Sequence, residues 1–299
     1  MNEPRNHHYA PQFFLRNFAI DEEKKIITTV AKHGDMAIWS ERSIQTLGYE
    51  RDFYVHMKGG IPKSVETDIN RNIEIPISQS DTWQKISSGK TEELDQSDRA
   101  ILYAMTRHFE ARTPHYQATL NELIAHANDP ASTMIFSDEE REMYRELKND
   151  PDSAKERLNG MATSMAWTAR AFEGAIIMVL RSPIPLRTST TPAIAIPIPH
   201  HPNLALSLPG MLPYKLALTL NKNTMVSIIL GDFDGTFCNQ EIDINTAKGF
   251  NQHFLAHFAK FNSVRHLVTD KQNLVQDMEW APYKMTNETE KKVVFKRVI

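Results

Sequence analysis

The hydrophobic pattern divides the chain into three stretches. In the first, residues 1–63, Lys25 to Ala31 and Met36 to Trp39 are β-branched or apolar runs separated by His33-Gly34-Asp35, which predicts a hairpin. Glu50 to Val55 predicts a further strand before the Gly59-Gly60-Ile61-Pro62 break. Helical spacing takes over in residues 64–181, with helices expected from Ser64 to about Ile75, Ser97 to Arg112, Pro114 to Ala127, Ser137 to Leu147 and Ser153 to Arg181. Each of the four serines precedes its pattern and is an expected N-cap, and Ser137 is followed by a carboxylate at the third helical position. In the last helix Met161, Met165, Thr168, Phe172, Ile176 and Val179 form one stripe, which reads as core packing rather than a binding groove.

The pattern changes again at Ser182, and residues 182–299 form the third stretch. Eight of the 16 prolines lie between Pro183 and Pro213, which excludes a helix there and confines any strand to an edge or to short pieces. A linker is one reading of this segment. Alternation of Ile194, Ile196, Ile198, Leu204, Leu206 and Leu208 favours extended strands on a core. Lys215 to Leu220 and Met225 to Leu230 flank Asn221-Lys222-Asn223 as a second hairpin, and a last helix from Asn245 to Phe261 aligns Phe250, Phe254, Phe258 and Phe261. Ser263 to Val268 and Lys292 to Val298 offer closing strands. The expected fold is a single α+β domain over residues 1–299, with short N-terminal strands, a central helical bundle and C-terminal antiparallel strands.

Composition narrows the function classes only slightly. A chain of 299 residues, 24% charged and 41% apolar, buries a sufficient core without disulfides or metals. With 34 basic against 37 acidic side chains there is no global attraction to nucleic acid, although a local basic cleft is compatible with that total. The lone Cys238 excludes an internal disulfide framework. No apolar run follows a basic start, so no secretory leader is expected, and Ala175 to Leu180 is too short to span a membrane. The expected location is the cytoplasm, with no membrane partner.

Chemistry concentrates beside the N-terminus, in His7-His8-Tyr9-Ala10-Pro11-Gln12-Phe13-Phe14-Leu15-Arg16-Asn17-Phe18. Adjacent His7 and His8 point to opposite sides of an extended segment, so at most one enters a given cleft. Arg16 stands among apolar anchors, where a guanidinium must be paired and suits a carboxylate or phosphate. In the helix ending at Arg112, Ile101, Met105, His108 and Arg112 share a face that turns polar toward its end; the bland alternative is that Arg112 satisfies its own helix's carbonyls. Glu66 and Glu74 are solvated by default, but Glu74 lies within Ile73-Glu74-Ile75-Pro76-Ile77 and there needs a partner such as Arg16 or Arg112. His253 and His257 have helical ligand spacing without the glutamate of a hydrolytic zinc motif, so no metal is expected. Dinucleotide, phosphate-loop and serine-hydrolase motifs are absent, and no cofactor is expected.

The opening signature resembles that of a bacterial domain of unknown function, DUF family 4238. Glu50 to Tyr54, Val65-Glu66 through Ile73-Glu74, and Arg112-Thr113-Pro114 resemble further family steps. At Thr188-Ser189-Thr190-Thr191-Pro192 the family shows Thr-Ser-Asp-Asn-Pro, so Thr190 and Thr191 replace an acid and an amide, and any family activity that needs the aspartate is altered here. The leading expectation is a polar cleft that binds a nucleic acid or another phosphate-bearing ligand and hydrolyses a phosphodiester. His8 and Glu74 exchange a proton, while Arg16, Asn17, His108, Arg112 and Ser189 bind the ligand. The rival is a non-catalytic module in which the same groups form a buried ion-pair network. The cleft requires Arg16 and Arg112 to converge.

Overall fold

The computed structural model describes residues 5–163, 169–198, 214–231 and 233–298. In chain order they form β1 (Asn6–His8), α1 (Gln12–Leu15), β2 (Ile26–His33), β3 (Met36–Ser43), β4 (Tyr49–Arg51), β5 (Val55–Lys58) and β6 (Ile61–Ser64). The helical middle follows as α2 (Glu66–Ile69), α3 (Ile75–Ser78), α4 (Asp81–Ser87), α5 (Arg99–Ala111), α6 (Pro114–Ala127), α7 (Asp138–Asn149), α8 (Pro151–Thr163) and α9 (Ala169–Gly174). The remainder is β7 (Ile176–Arg181), β8 (Thr188–Ser189), β9 (Ala193–Pro197), β10 (Tyr214–Asn221), β11 (Thr224–Ile229), β12 (Phe237–Glu241), α10 (Ile244–Lys260), β13 (His266–Val268), α11 (Leu274–Trp280), β14 (Tyr283–Thr289) and β15 (Lys292–Arg297).

Two larger sheets make this an α+β fold. One runs β14-β15-β3-β2-β13-β8, antiparallel throughout; the other runs β12-β7-β11-β10-β9, with β12–β7 the parallel pair. Alternation along the five-stranded sheet sends Ile177, Val179, Leu216, Leu218 and Val226 into the core that holds Leu102, Met105 and Phe109 of α5. Its other face, with Leu180, Ile194, Ile196 and Met225, packs on Phe250 and Phe254 of α10. The same helix turns Leu255 and Phe258 toward Val30, Trp39 and Phe295 of the six-stranded sheet. Being buried between two sheets, α10 needs two apolar stripes, which is why its phenylalanine row alone understates its burial. Pro197 lies on the edge strand β9, where a missing N–H is tolerated.

Several expectations change. The run from Ile176 to Arg181 is a strand, paired with β12 on one side and β11 on the other. Helical spacing of Phe172, Ile176 and Val179 is coincidental there, because continuous β-branched and apolar residues suit a strand buried on both faces. Met165, Thr168, Leu204, Leu206 and Leu208, and the side chain of Met161, lie outside the described residues. Glu50 to Val55 is not one strand: β4 ends at Arg51, Asp52 turns with φ at 55°, and Gly59-Gly60 is the tip of a β5–β6 hairpin rather than a break. Helix α4 was not expected at all. Of the four serine caps, Ser137 holds with its Glu140 box, and Ser64 Oγ accepts the Glu66 amide at 3.3 Å, one residue from the helix start. Asp95 and Asp98 replace Ser97, and Asp150 accepts from Ser153. The helical middle also divides: α5 lies on the sheet, whereas α6, α7 and α8 close on their own small core of Ile124, Leu147 and Ala154. Among the described residues no helix is long and apolar enough to cross a membrane.

The signature is held by both backbone and rings. β1 pairs with β4, and the amides of Tyr9 and Ala10 donate to the Gly48 carbonyl at 2.7 and 3.0 Å. Gly48 has φ at 62°, and a Cβ there would come within 2.5 Å of Ala10 Cβ, so only glycine allows the approach. Phe14 meets Phe109 of α5 with ring centroids 5.0 Å apart, and Phe13 meets Trp83 of α4 at 4.8 Å.

Candidate functional site

Arg112 sits where α5 stops, since Pro114 bars the preceding residue from helical geometry and Thr113 Oγ1 caps α6 by accepting the Tyr116 amide at 3.2 Å. The Arg112 side chain is fully buried. Its Nε donates to Tyr54 Oη at 3.1 Å, Nη1 donates to Glu74 Oε1 and lies 2.8 Å from His108 Nε2, and Nη2 donates to the His8 carbonyl. If Nη1 donates to His108 Nε2 as well, the His108 proton is on Nδ1. Tyr54 Oη donates to the Arg112 carbonyl at 2.9 Å, so Tyr54, not the guanidinium, satisfies the end of the helix. The two signature histidines diverge as alternation requires. His7 turns inward, stacking on Tyr54 and accepting its amide at Nδ1 over 2.9 Å, while His8 stays half-buried with Nε2 3.2 Å from Gln12 Nε2.

A local helix defect brings in a second carboxylate. In a regular helix, at about 100° per residue, Glu66 and Glu74 would point about 80° apart. Asn70–Glu74 instead forms a π turn, which absorbs one extra residue. Glu74 then takes the place of a seventh rather than an eighth residue, within roughly 20° of Glu66. Both default readings as solvated carboxylates are thereby overturned: Glu66 is buried, and Glu74 keeps 15% of its side chain exposed.

The electrostatics follow from this crowding. Burial pushes the Glu66 carboxyl up to about 7; the Glu74 charge adds to the rise, and Arg112 and the His8 backbone amide oppose it. Glu66 Oε2 is buried without a hydrogen-bond partner. Burial also pulls the His8 imidazole below its ordinary value, against the pull of Glu74. For Arg112 burial opposes the cation, but Tyr54, Glu74 and Glu66 outweigh it and hold its pKa above the usual value. Near neutral pH the cluster therefore offers a neutral imidazole and a carboxyl poised between its two forms, beside a permanent cation.

The single cleft expected from the sequence does not form. His8, Glu74, His108 and Arg112 come together, but Arg16 is exposed and lines a separate pocket, whose walls share no residue with the Arg112 cluster. The chain leaves β1 at His8 and turns through α1, so Arg16 emerges on another side of the signature. Asn17 lines that same pocket and donates to the Leu220 carbonyl at 2.9 Å. Ser189 is buried in β8, where its Oγ donates to the Thr191 carbonyl at 2.7 Å and accepts the Thr191 amide. Thr190 approaches the signature through Tyr9, and its Oγ1 accepts the His266 amide at 3.3 Å. Tyr54 was not among the expected site residues, and Glu66 was expected beside Arg112 only in the buried ion-pair alternative. Both had a signal in a family step, but the π turn that swings Glu66 and Glu74 onto one side is invisible in an apolar spacing.

His257 Nε2 meets His115 Nε2 of another helix at 3.0 Å, and burial lowers both imidazoles, that of His257 to about 3. Among the described residues no group of three or more His, Cys, Asp or Glu side chains is arranged to hold a metal.

Comparison with known proteins adds a family and no activity. No curated protein and no solved structure matches the chain. A family model described as a protein of unknown function, DUF4238, matches residues 6–257, from β1 through most of α10 and including every residue of the Arg112 cluster. The chain belongs to the DUF4238 family.

Proposed function

We propose that the protein hydrolyses an anionic ester, with a phosphodiester of nucleic acid as the substrate class, by proton transfer at the Arg112 cluster. One observation carries this reading: Glu66 is a buried carboxyl with an unpartnered oxygen and a pKa near 7, beside the half-buried His8. A network built only for stability needs one carboxylate to neutralise Arg112, and Glu74 supplies it; a second buried carboxyl with an orphan oxygen is a burden unless it works. In the proposed step His8 takes a proton from water while the water oxygen bonds to phosphorus. Glu66 gives its proton to the departing oxygen as that P–O bond breaks. Glu74 and Arg112 are positioning residues, since every Arg112 nitrogen is already engaged. The acid role thus moves from Glu74 to Glu66. The lone free Cys238 fits a reducing, cytoplasmic setting for this activity.

The experiment incubates purified protein with RNA, single-stranded DNA and duplex DNA, with and without divalent cations. Cleavage is expected, falling by about a hundredfold or more in Glu66→Gln, within the usual range for a lost general acid. Cleavage that Glu66→Gln leaves unchanged would remove the assignment. A second reading, a non-catalytic module whose function is partner binding, is favoured by the complete burial of Arg112. It expects no cleavage of any substrate by the wild-type protein.

A further inference from the structure

We propose that the pocket bounded by the signature, the loop after α4 and the β10–β11 hairpin binds a phosphorylated sugar or similar polyol phosphate, at a site separate from the Arg112 cluster. The pocket has a volume of about 520 Å³, within the range of small-ligand sites. Four cations line it: Arg16, Lys24, Arg181 and Lys222. Among the described residues Arg16, Lys24 and Lys222 make no ion pair, and Arg181 has only a 3.4 Å contact to Glu241, which is largely exposed. The Arg181 Nε is buried with no hydrogen-bond partner, so the protein does not fully satisfy this guanidinium.

Asp21 is the single acid in the lining, and it is turned to its own loop. Its carboxylate accepts the Lys25 amide at 2.9 Å and the Ile26 amide at 2.7 Å. The lining therefore carries an excess of three positive charges, four minus one, offset only by the largely exposed Glu241 beside Arg181. Like charges gathered without counterions repel one another, and a phosphate dianion relieves that repulsion through charge-assisted hydrogen bonds.

The walls are tied to each other rather than merely adjacent. Asn17 Nδ2 donates to the Leu220 carbonyl at 2.9 Å, joining the signature to β10. Asn223 Nδ2 donates to the Ser182 carbonyl at 3.2 Å, and the Thr91 and Thr224 hydroxyls meet at 2.8 Å, joining the hairpin to the end of β7 and to the segment after α4. A cavity whose walls are braced against one another in this way is partly shaped for its ligand, which reduces the ordering that binding would demand.

The rest of the lining selects the ligand class. It contains no aromatic side chain, so a nucleobase has nothing to stack on. Ser87 and Ser88 donate their hydroxyl hydrogens to the Gln84 carbonyl, which leaves their oxygens as acceptors for sugar hydroxyls.

The test is calorimetric titration of the full-length protein at fixed ionic strength with glucose 6-phosphate, glucose, inorganic phosphate, AMP and a short single-stranded RNA. Glucose 6-phosphate is expected to bind most tightly. Arg16→Ala and Lys222→Ala should each weaken it about tenfold and together about a hundredfold. Arg16 and Lys222 reach solvent or the pocket rather than the core, so these variants should fold; Arg145→Ala, at an exposed arginine of α7 outside the lining, and Glu66→Gln should bind like wild type. No saturable binding of glucose 6-phosphate, or binding unmoved by the Arg16 and Lys222 variants, overturns the site. Equal binding of inorganic phosphate, or tighter binding of AMP or RNA, overturns the ligand class.

Discussion

Arg112 and Arg187 are both buried guanidiniums that end on a carboxylate, yet their surroundings differ in a way that separates structure from chemistry. Arg187 Nε donates to Asp277 Oδ2 at 2.7 Å and Nη2 donates to Oδ1, while Thr269 Oγ1 also donates to Asp277. Asn251 completes the closure by accepting the Arg187 amide at 2.8 Å and donating to the Pro185 carbonyl at 3.0 Å. That is a closed bidentate pair with its acceptors filled, pinning the segment before β8 to α10 and α11. Around Arg112 the guanidinium is just as fully engaged, but a second carboxyl lies beside it with an unfilled oxygen, and His8 and Glu74 reach the surface. The Arg187 pair is satisfied within itself, whereas the Arg112 cluster keeps one carboxyl oxygen unsatisfied.

The largest effect should come from the closed pair. Arg187→Ala leaves Asp277 as an uncompensated buried charge and should lower unfolding stability by about 3–5 kcal/mol, read from urea midpoints at neutral pH. A loss below roughly 1 kcal/mol would show that the pair is hydrated and the comparison misdrawn.

Next in size is the pH behaviour of Glu66. Its folded pKa, near 7, lies above that of an unfolded glutamate, so between those values the native state holds the extra proton and stability must fall as pH rises. The fall should amount to roughly 3 kcal/mol between about pH 4.5 and 7, and Glu66→Gln should abolish it. The half-buried imidazoles His257 and His266, held down to about 3 and about 4, act in the opposite sense, removing stability as pH falls below their unfolded value. The comparison of Glu66→Gln with wild type cancels that shared contribution. Parallel curves for the two proteins would mean that Glu66 is ionised and merely neutralises Arg112.

Tyr54→Phe should cost about 1–3 kcal/mol, because it strips a partner from Arg112 Nε and from the Arg112 carbonyl at once. The variant tests whether Tyr54 braces the cluster; a neutral result would require water to replace its hydroxyl. The smallest effect belongs to the exposed Arg265–Glu50 pair at 2.7 Å, where Arg265→Ala should change stability by no more than about 0.5 kcal/mol. A larger loss there would mean that surface pairs contribute in this protein as buried ones do.

Much of the architecture was readable in the chain. Gly34-Asp35 between two β-branched runs marked the β2–β3 hairpin, Ser137 with Glu140 marked α7, and the proline-rich stretch did confine β9 to an edge. Helix α4 was hidden because its seven residues carry too few apolar positions to show a period, although Ser80 caps it by accepting the Trp83 amide. β7 was misassigned because an uninterrupted apolar run satisfies helical and strand spacing alike until its partners are known.

By itself the sequence determined the α+β class, the approximate limits of α5, α6, α7 and α10, and the family, because these follow from local periodicity and from recognisable steps. Only the tertiary structure decided that Arg16 leaves the Arg112 cluster for a pocket of its own, and that Glu66 joins it. The reason is geometric: a π turn of five residues and a short turn through α1 each redirect a side chain without leaving a trace in the hydrophobic pattern, and which charges end up paired depends on where those vectors point.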